Sequence, residues 1–178
     1  KVRQVKFVDR TFNCNKAYAS AIWRYLMEHD NKVSNFHFEI AADLLDDEQI
    51  ELLSHARKGL FQLEIGVQST NPDTLSAIHR KSDFQKLSRI VRRLQAPGNI
   101  HLHLDLIAGL PYEDYRRFGQ SFNDLYALAP VQLQLGFLKL LKGSGLNRDQ
   151  EQYGIVCREY APYEVLYTRW ITPQEMLK

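Results

Sequence analysis

The sequence predicts an α/β fold in which parallel strands alternate with helices and line a partial barrel with a polar interior. Three observations predict it. Five strand-like runs are separated by helix-length amphipathic segments. The spacing of strand plus helix is about thirty residues, the length of a βα unit. Four of the five runs carry one apolar and one polar face, which a closed, apolar-filled barrel does not accommodate.

The first run, QVKFVD (4–9), leads into NKAYASAIWRYLMEH, where Ala19, Ile22, Trp23 and Leu26 form one helical stripe. The second, NFHFEIA (35–41), sets His37 and Glu39 against Phe36, Phe38 and Ile40. DDEQIELLSHARK then opens with acids and closes on Arg57, Lys58 and Gly59, as a helix prefers. The third run, LFQLEIGVQ (60–68), opposes Gln62, Glu64, Gly66 and Gln68 to Phe61, Leu63, Ile65 and Val67. Asn71 and Pro72 read as N-cap and first position of the next helix, NPDTLSAIHR. DFQKLSRIVRRLQ follows and stops at Pro97-Gly98. The fourth run, IHLHLDLIAG (100–109), places His101, His103 and Asp105 opposite Ile100, Leu102, Leu104 and Leu106. DYRRFGQSFNDLYALA precedes the fifth, VQLQLGFLKLL (131–141), with Gln132, Gln134 and Gly136 against Val131, Leu133, Leu135 and Phe137. The apolar faces are expected to pack on the helices. The polar faces must then meet water, a ligand or each other, because unpaired burial of such groups costs several kcal/mol each. An antiparallel sheet with one wet face gives the same alternation; the helical segments between the runs argue against it.

Composition narrows the class. The chain has 178 residues, 44% hydrophobic and 25% charged, as expected of one folded domain. The net charge of +2 and the spread of basic residues give no nucleic-acid patch; RIVRRL reads as a solvated helix face. No apolar run is long enough to span a membrane, and none reads as a signal peptide. Cys14 and Cys157 lack CxxC-type company, which points to a reducing, cytoplasmic setting. The abrupt start on KVRQVKFVD points to a fragment of a longer protein.

Two chemistries fit the polar face from residue types alone. His37, Glu39, His101, His103 and Asp105 include an H-x-H pair and carboxylates, which could form a zinc or iron shell. They equally fit a hydrogen-bonded polar wall. No glycine-rich phosphate cradle and no nucleophile elbow is present, and Cys14 reads as structural.

LEIGVQSTNPDTLSAIHRKSD followed by LHLDLIAGLPYED resembles the radical S-adenosylmethionine superfamily. VKFVDRTFN, FHFEI, GLFQLEIGVQS, HLHLDLIAGLPYED, LQLGFLKLLKG and APYEVL occur in the order seen in its cobalamin-binding-domain-associated subfamily. That group is similar to oxygen-independent coproporphyrinogen dehydrogenases and Mg-protoporphyrin monomethyl ester oxidative cyclases. The resemblance implies a partial (βα)6-type, TIM-like barrel whose first βα unit is missing. Residues 1–142 would be strands two to six, and 143–178 a C-terminal extension. It implies S-adenosylmethionine as ligand, with Glu39 on the amino group, Gln68 and Asp105 on the ribose hydroxyls, Arg80 on the carboxylate and Ile107 against adenine. Asp9 and Asn13, in DRTFN where many relatives carry GGE, are further polar candidates. His37, Glu64, His101, His103, Gln132 and Gln134 are expected to line the lumen or meet substrate. It also implies a four-iron four-sulfur cluster and an upstream cobalamin-binding domain in the parent protein. The CxxxCxxC loop is absent from this chain, and two distant cysteines cannot replace three clustered thiolates. So the parent is expected to cleave S-adenosylmethionine to a 5′-deoxyadenosyl radical, or to use cobalamin, as an oxidoreductase or methyltransferase; the chain alone is expected to be inactive. The substrate is left open, because this fold serves many. Two alternatives stand beside this: a metal-dependent TIM-barrel hydrolase using His37, His101 and His103, and a non-catalytic binding domain.

Overall fold

Strand and helix alternate as the periodicity requires. The computed structural model describes residues 2–178. Among them β1 (Gln4–Lys6), β2 (Asn35–Ile40), β3 (Phe61–Gln68), β4 (His101–Ala108) and β5 (Gln132–Phe137) form a parallel sheet in sequential order. Helices α1 (Lys16–Glu28), α2 (Asp47–Ser54), α3 (Pro72–Ala77), α4 (Phe84–Gln95) and α5 (Tyr115–Tyr126) make the connections. Each starts on a side-chain cap that accepts an otherwise unpaired amide: Asn15, Asp46, Asn71, Asp83 and Asp114. Asp46 and Gln49 complete a reciprocal capping box.

The chain divides into two compact units. The first comprises residues up to Gly66, with Asp83–Leu104 and Leu128–Leu133. Its register aligns Phe36 with Phe61, Phe38 with Leu63 and Glu39 with Glu64. The apolar sheet face packs on the helices: Phe38, Phe61, Leu63, Leu102 and Leu104 are fully buried, as are Trp23, Leu53 and Val91. Phe12, Trp23 and Phe61 each contact the ring of Phe38, with centroids 4.4, 6.2 and 5.8 Å away. The buried amide of Asn99 donates to the carbonyls of Leu53, Ser54 and Ala56 at 2.8–3.1 Å, and so satisfies the end of α2.

The second unit comprises Val67–Ser82, Asp105–Ala127 and Gln134–Lys178. Leu110, Leu138, Leu140, Tyr153, Ile155 and Val165 form its main apolar cluster, so residues beyond 143 share a core with the loop after β4. Gly109 is left-handed (φ +90°), and a Cβ there would stand 3.2 Å from Met176 Cε; only glycine fits. Short helices α6 (Gly145–Arg148), α7 (Gln150–Tyr153) and α8 (Pro173–Met176) and an antiparallel pair, β6 (Val156–Cys157) and β7 (Val165–Tyr167), complete it.

Three details differ from the sequence expectation. The first strand ends at Lys6, although Phe7 N–H still donates to His37 O. The helix expected over 71–80 stops at Ala77, and His79 turns left-handed. The fifth run does not bury its apolar face: Val131, Leu135 and Phe137 are 65%, 49% and 47% exposed, and β5 is the last strand of the order, with a neighbouring strand on one side.

Candidate functional site

In the first unit the polar sheet face gathers a compact set of groups. Strand alternation sends His37, Glu64 and His103 to the same side, from β2, β3 and β4. His37 Nε2 lies 2.7 Å from Glu64 Oε2, and Lys6 Nζ reaches the same oxygen at 3.1 Å. The rings of His37 and His103 stand 6.5 Å apart, and the nearest ligating atoms of the three residues all lie within 4.8 Å of one another. Both imidazoles are buried. Burial first, then the Lys6 ammonium, pulls the His37 pKa below its ordinary value against the opposing pull of Glu64. Burial does the same to His103, again opposed by Glu64. Burial thus favours the neutral form of both rings. His101 is half-buried on the same strand face, with a buried Nε2 that has no hydrogen bond among the described residues, and lies outside the three-residue set. The sequence sets His101 beside His37 and His103; the groups whose ligating atoms lie within 4.8 Å of one another are His37, Glu64 and His103.

In the second unit, Gln68 ends β3 in the left-handed region at φ +73°. A non-glycine residue there costs of order 1 kcal/mol or more, and such strain gathers at functional positions. Its side-chain carbonyl is buried and accepts no hydrogen bond from the described residues. The loop that follows is tightly held. Ser69 Oγ donates to Glu113 Oε1 at 2.6 Å, Ser121 Oγ donates to the same atom at 2.9 Å, and Asn71 Nδ2 donates to Tyr112 O at 2.7 Å. Thr74 Oγ1 donates to Pro111 O at 2.9 Å, and Thr70 Oγ1 to Asp124 Oδ2 at 2.6 Å. Glu113 is almost fully buried; burial raises its carboxyl pKa above the ordinary range, and the two serine donors pull it back only in part. Sequence reasoning assigned no role to Glu113, Ser69 or Ser121, since their partners lie up to 52 residues away.

The remaining candidates fall as follows. Asp105 is half-buried and belongs to the second unit, as do Arg80 and Ile107. Arg80 is exposed just past the left-handed His79, with its N–H on Leu75 O. Ile107 packs against the Leu110–Leu138 cluster. Glu39 is half-buried in the first unit. Asp9, Gln132 and Gln134 are exposed. Asn13 is corrected as a ligand candidate: it is fully buried, its Nδ2 donates to Ala41 O at 2.8 Å, and its Oδ1 accepts from Ala41 N–H at 2.9 Å, so it staples the turn before α1 to the end of β2.

Residues 1–125 match the family described as the Radical SAM superfamily, and residues 151–178 match a protein of unknown function, DUF4080. The oxygen-independent coproporphyrinogen III oxidase of Paracoccus denitrificans is 31% identical over 102 residues, 57% of this chain and 22% of that protein. The cobalamin-dependent radical SAM methyltransferase TokK of Streptomyces tokunonensis is 34% identical over 99 residues, 54% of this chain and 14% of that protein. The chain thus spans about a fifth or less of these relatives. Among solved structures, the methyltransferase TsrM from Kitasatospora setae, with cobalamin and a 4Fe-4S cluster bound, superposes with a TM-score of 0.74 at 18% identity, over 98% of this chain and 36% of TsrM. Coproporphyrinogen III oxidase from Escherichia coli gives 0.66 at 21% identity, over 79% of this chain and 32% of that enzyme. These likenesses show the fold, a partial TIM-like barrel. With the family match covering well over half its length, the chain belongs to the radical SAM superfamily.

Proposed function

We propose that this chain is the nucleoside-holding part of a radical S-adenosylmethionine enzyme, an oxidoreductase or methyltransferase whose iron–sulfur ligands lie outside these residues. Gln68 carries the reading. A glutamine kept left-handed at a strand end, with a buried and unsatisfied carbonyl, is a preorganised acceptor for a ligand hydroxyl. Asp105, in the same unit, supplies a carboxylate for the second hydroxyl of a ribose. Arg80 offers a planar fork to a carboxylate, and Ile107 an apolar contact to a base. For Glu39, in the other unit, the assignment to an ammonium group rests on the sequence resemblance.

The residues present fit the nucleoside but not the cluster. The chain has two cysteines, Cys14 exposed and Cys157 half-buried, each a free thiol, where three clustered thiolates are needed. With cluster and S-adenosylmethionine both in place, the parent protein would gain reductive cleavage to a 5′-deoxyadenosyl radical. What this chain contributes is binding and orientation. Its buried acceptors discriminate a ribose from a deoxyribose, because a missing hydroxyl leaves Gln68 unpaired.

Calorimetric titration of the chain with S-adenosylmethionine tests this. Gln68→Ala and Asp105→Ala are each expected to weaken binding by about 1–3 kcal/mol, roughly 5- to 150-fold. Binding unchanged in both variants removes the assignment. The longer protein, once reconstituted with iron and sulfide, is expected to release 5′-deoxyadenosine under reductant.

A further inference from the structure

A divalent-ion site on the polar sheet face is independent of the nucleoside reading. We propose that His37, Glu64 and His103 together bind one zinc-class divalent transition ion. Two imidazoles and one carboxylate, delivered by three adjacent strands, make the donor set of an open, catalytic-type zinc or non-haem iron centre. A fourth position is left for water or a substrate heteroatom.

The geometry needs little adjustment. Ligands about 2.0–2.1 Å from a tetrahedral zinc stand about 3.3 Å from one another. Here His37 Nε2 and Glu64 Oε2 are 2.7 Å apart, and no pair exceeds 4.8 Å. The required spacing lies inside that range and is reached by small side-chain rotations on a backbone held by the β2–β3 register. The donors sit on strands and not on loops, which is what a precise metal site needs.

Lys6 Nζ, 3.1 Å from Glu64 Oε2, is the competing cation. Its side chain is 52% exposed, so it can swing into solvent when an ion enters. This device distinguishes a metal site from a structural hydrogen-bonded wall. If the wall is all there is, Lys6 is part of it and removing Lys6 confers no affinity for zinc.

The chain, freed of metal by chelator, is titrated with zinc chloride and, in parallel, with cobalt(II), whose visible absorption reports coordination number. One ion per chain is expected, with the bands of a four- or five-coordinate site. His37→Ala and His103→Gln are expected to weaken binding more than ~100-fold, beyond the roughly 10- to 100-fold that loss of an outer-shell partner costs. His101→Ala, one turn of the strand pleat away and outside the set, keeps both stoichiometry and spectrum. Lys6→Ala tightens binding, a gain that no general folding defect can imitate. Circular dichroism of each variant reports whether it has folded. Absence of saturable binding in the wild type, equal affinity in the His37 variant, or loss of the cobalt spectrum in the His101 variant each overturns the assignment. None of these results bears on S-adenosylmethionine, which is absent from the experiment.

Discussion

Glu113 shows how a single residue joins sequence distance to site geometry. Its Oε1 accepts from Ser69 and Ser121, and Ser69 Oγ in turn accepts from Asn71 N–H at 2.9 Å. One buried carboxyl therefore holds the loop that follows Gln68. Burial raises the pKa of this carboxyl in the folded chain. The unfolded chain then loses the proton at a lower pH than the folded chain does. Between those two values the folded state binds more protons, so stability falls as pH rises through that window. Glu113→Gln, neutral at all pH, is expected to flatten this decline and to be no less stable than wild type at neutral pH. Glu113→Ala leaves the serine donors unpaired and is expected to cost about 1–3 kcal/mol. Urea unfolding across the pH series measures both. An equal slope in the Gln variant would mean that another group produces the decline.

At the scale of elements, what was legible followed from local chemistry. Asn71-Pro72 announced the start of α3, and the acids that open DDEQIELLSHARK the start of α2, because such signals act within the first turn of a helix. Helix ends held by distant groups were not legible. The carbonyls closing α2 are satisfied by Asn99, more than 40 residues on, and no periodicity marks that asparagine. Asn99→Ala removes a donor from three buried or half-buried carbonyls. It is expected to lower the unfolding free energy by about 1–3 kcal/mol, with an unchanged denaturant m-value if the folded surface is retained. A change within a few tenths of a kcal/mol would show that water replaces the amide. Alternation also misled at β5. It correctly separated polar from apolar residues but could not say that the apolar side would remain exposed, since neighbours and not period decide burial.

For the molecule as a whole, strand order and the polar faces were readable because period-two alternation and βα spacing are properties of the chain itself. The grouping of chemistry was not. The sequence offered five polar candidates across the strands as one metal shell. In the folded chain His37 and His103 of that set come together in one unit with Glu64, which was not in it, while Asp105 belongs to the other unit, as does Gln68. Only register and backbone conformation distinguish these, through the alignment of β2 with β3 and the left-handed turn at Gln68. The separation has a consequence for global stability. A ligand that binds only the folded state adds RT ln(1 + [L]/Kd), about 2.7 kcal/mol at one hundred times Kd. For a chain of this size that raises Tm by about 5–10 °C. S-adenosylmethionine and zinc are each expected to give such a rise in the wild-type chain. Gln68→Ala should reduce the nucleoside shift and keep the zinc shift in full, and His37→Ala the reverse. Thermal melts followed by circular dichroism decide it. If either variant loses both shifts, the two groups of residues act as a single site, and the division of labour drawn from their placement fails.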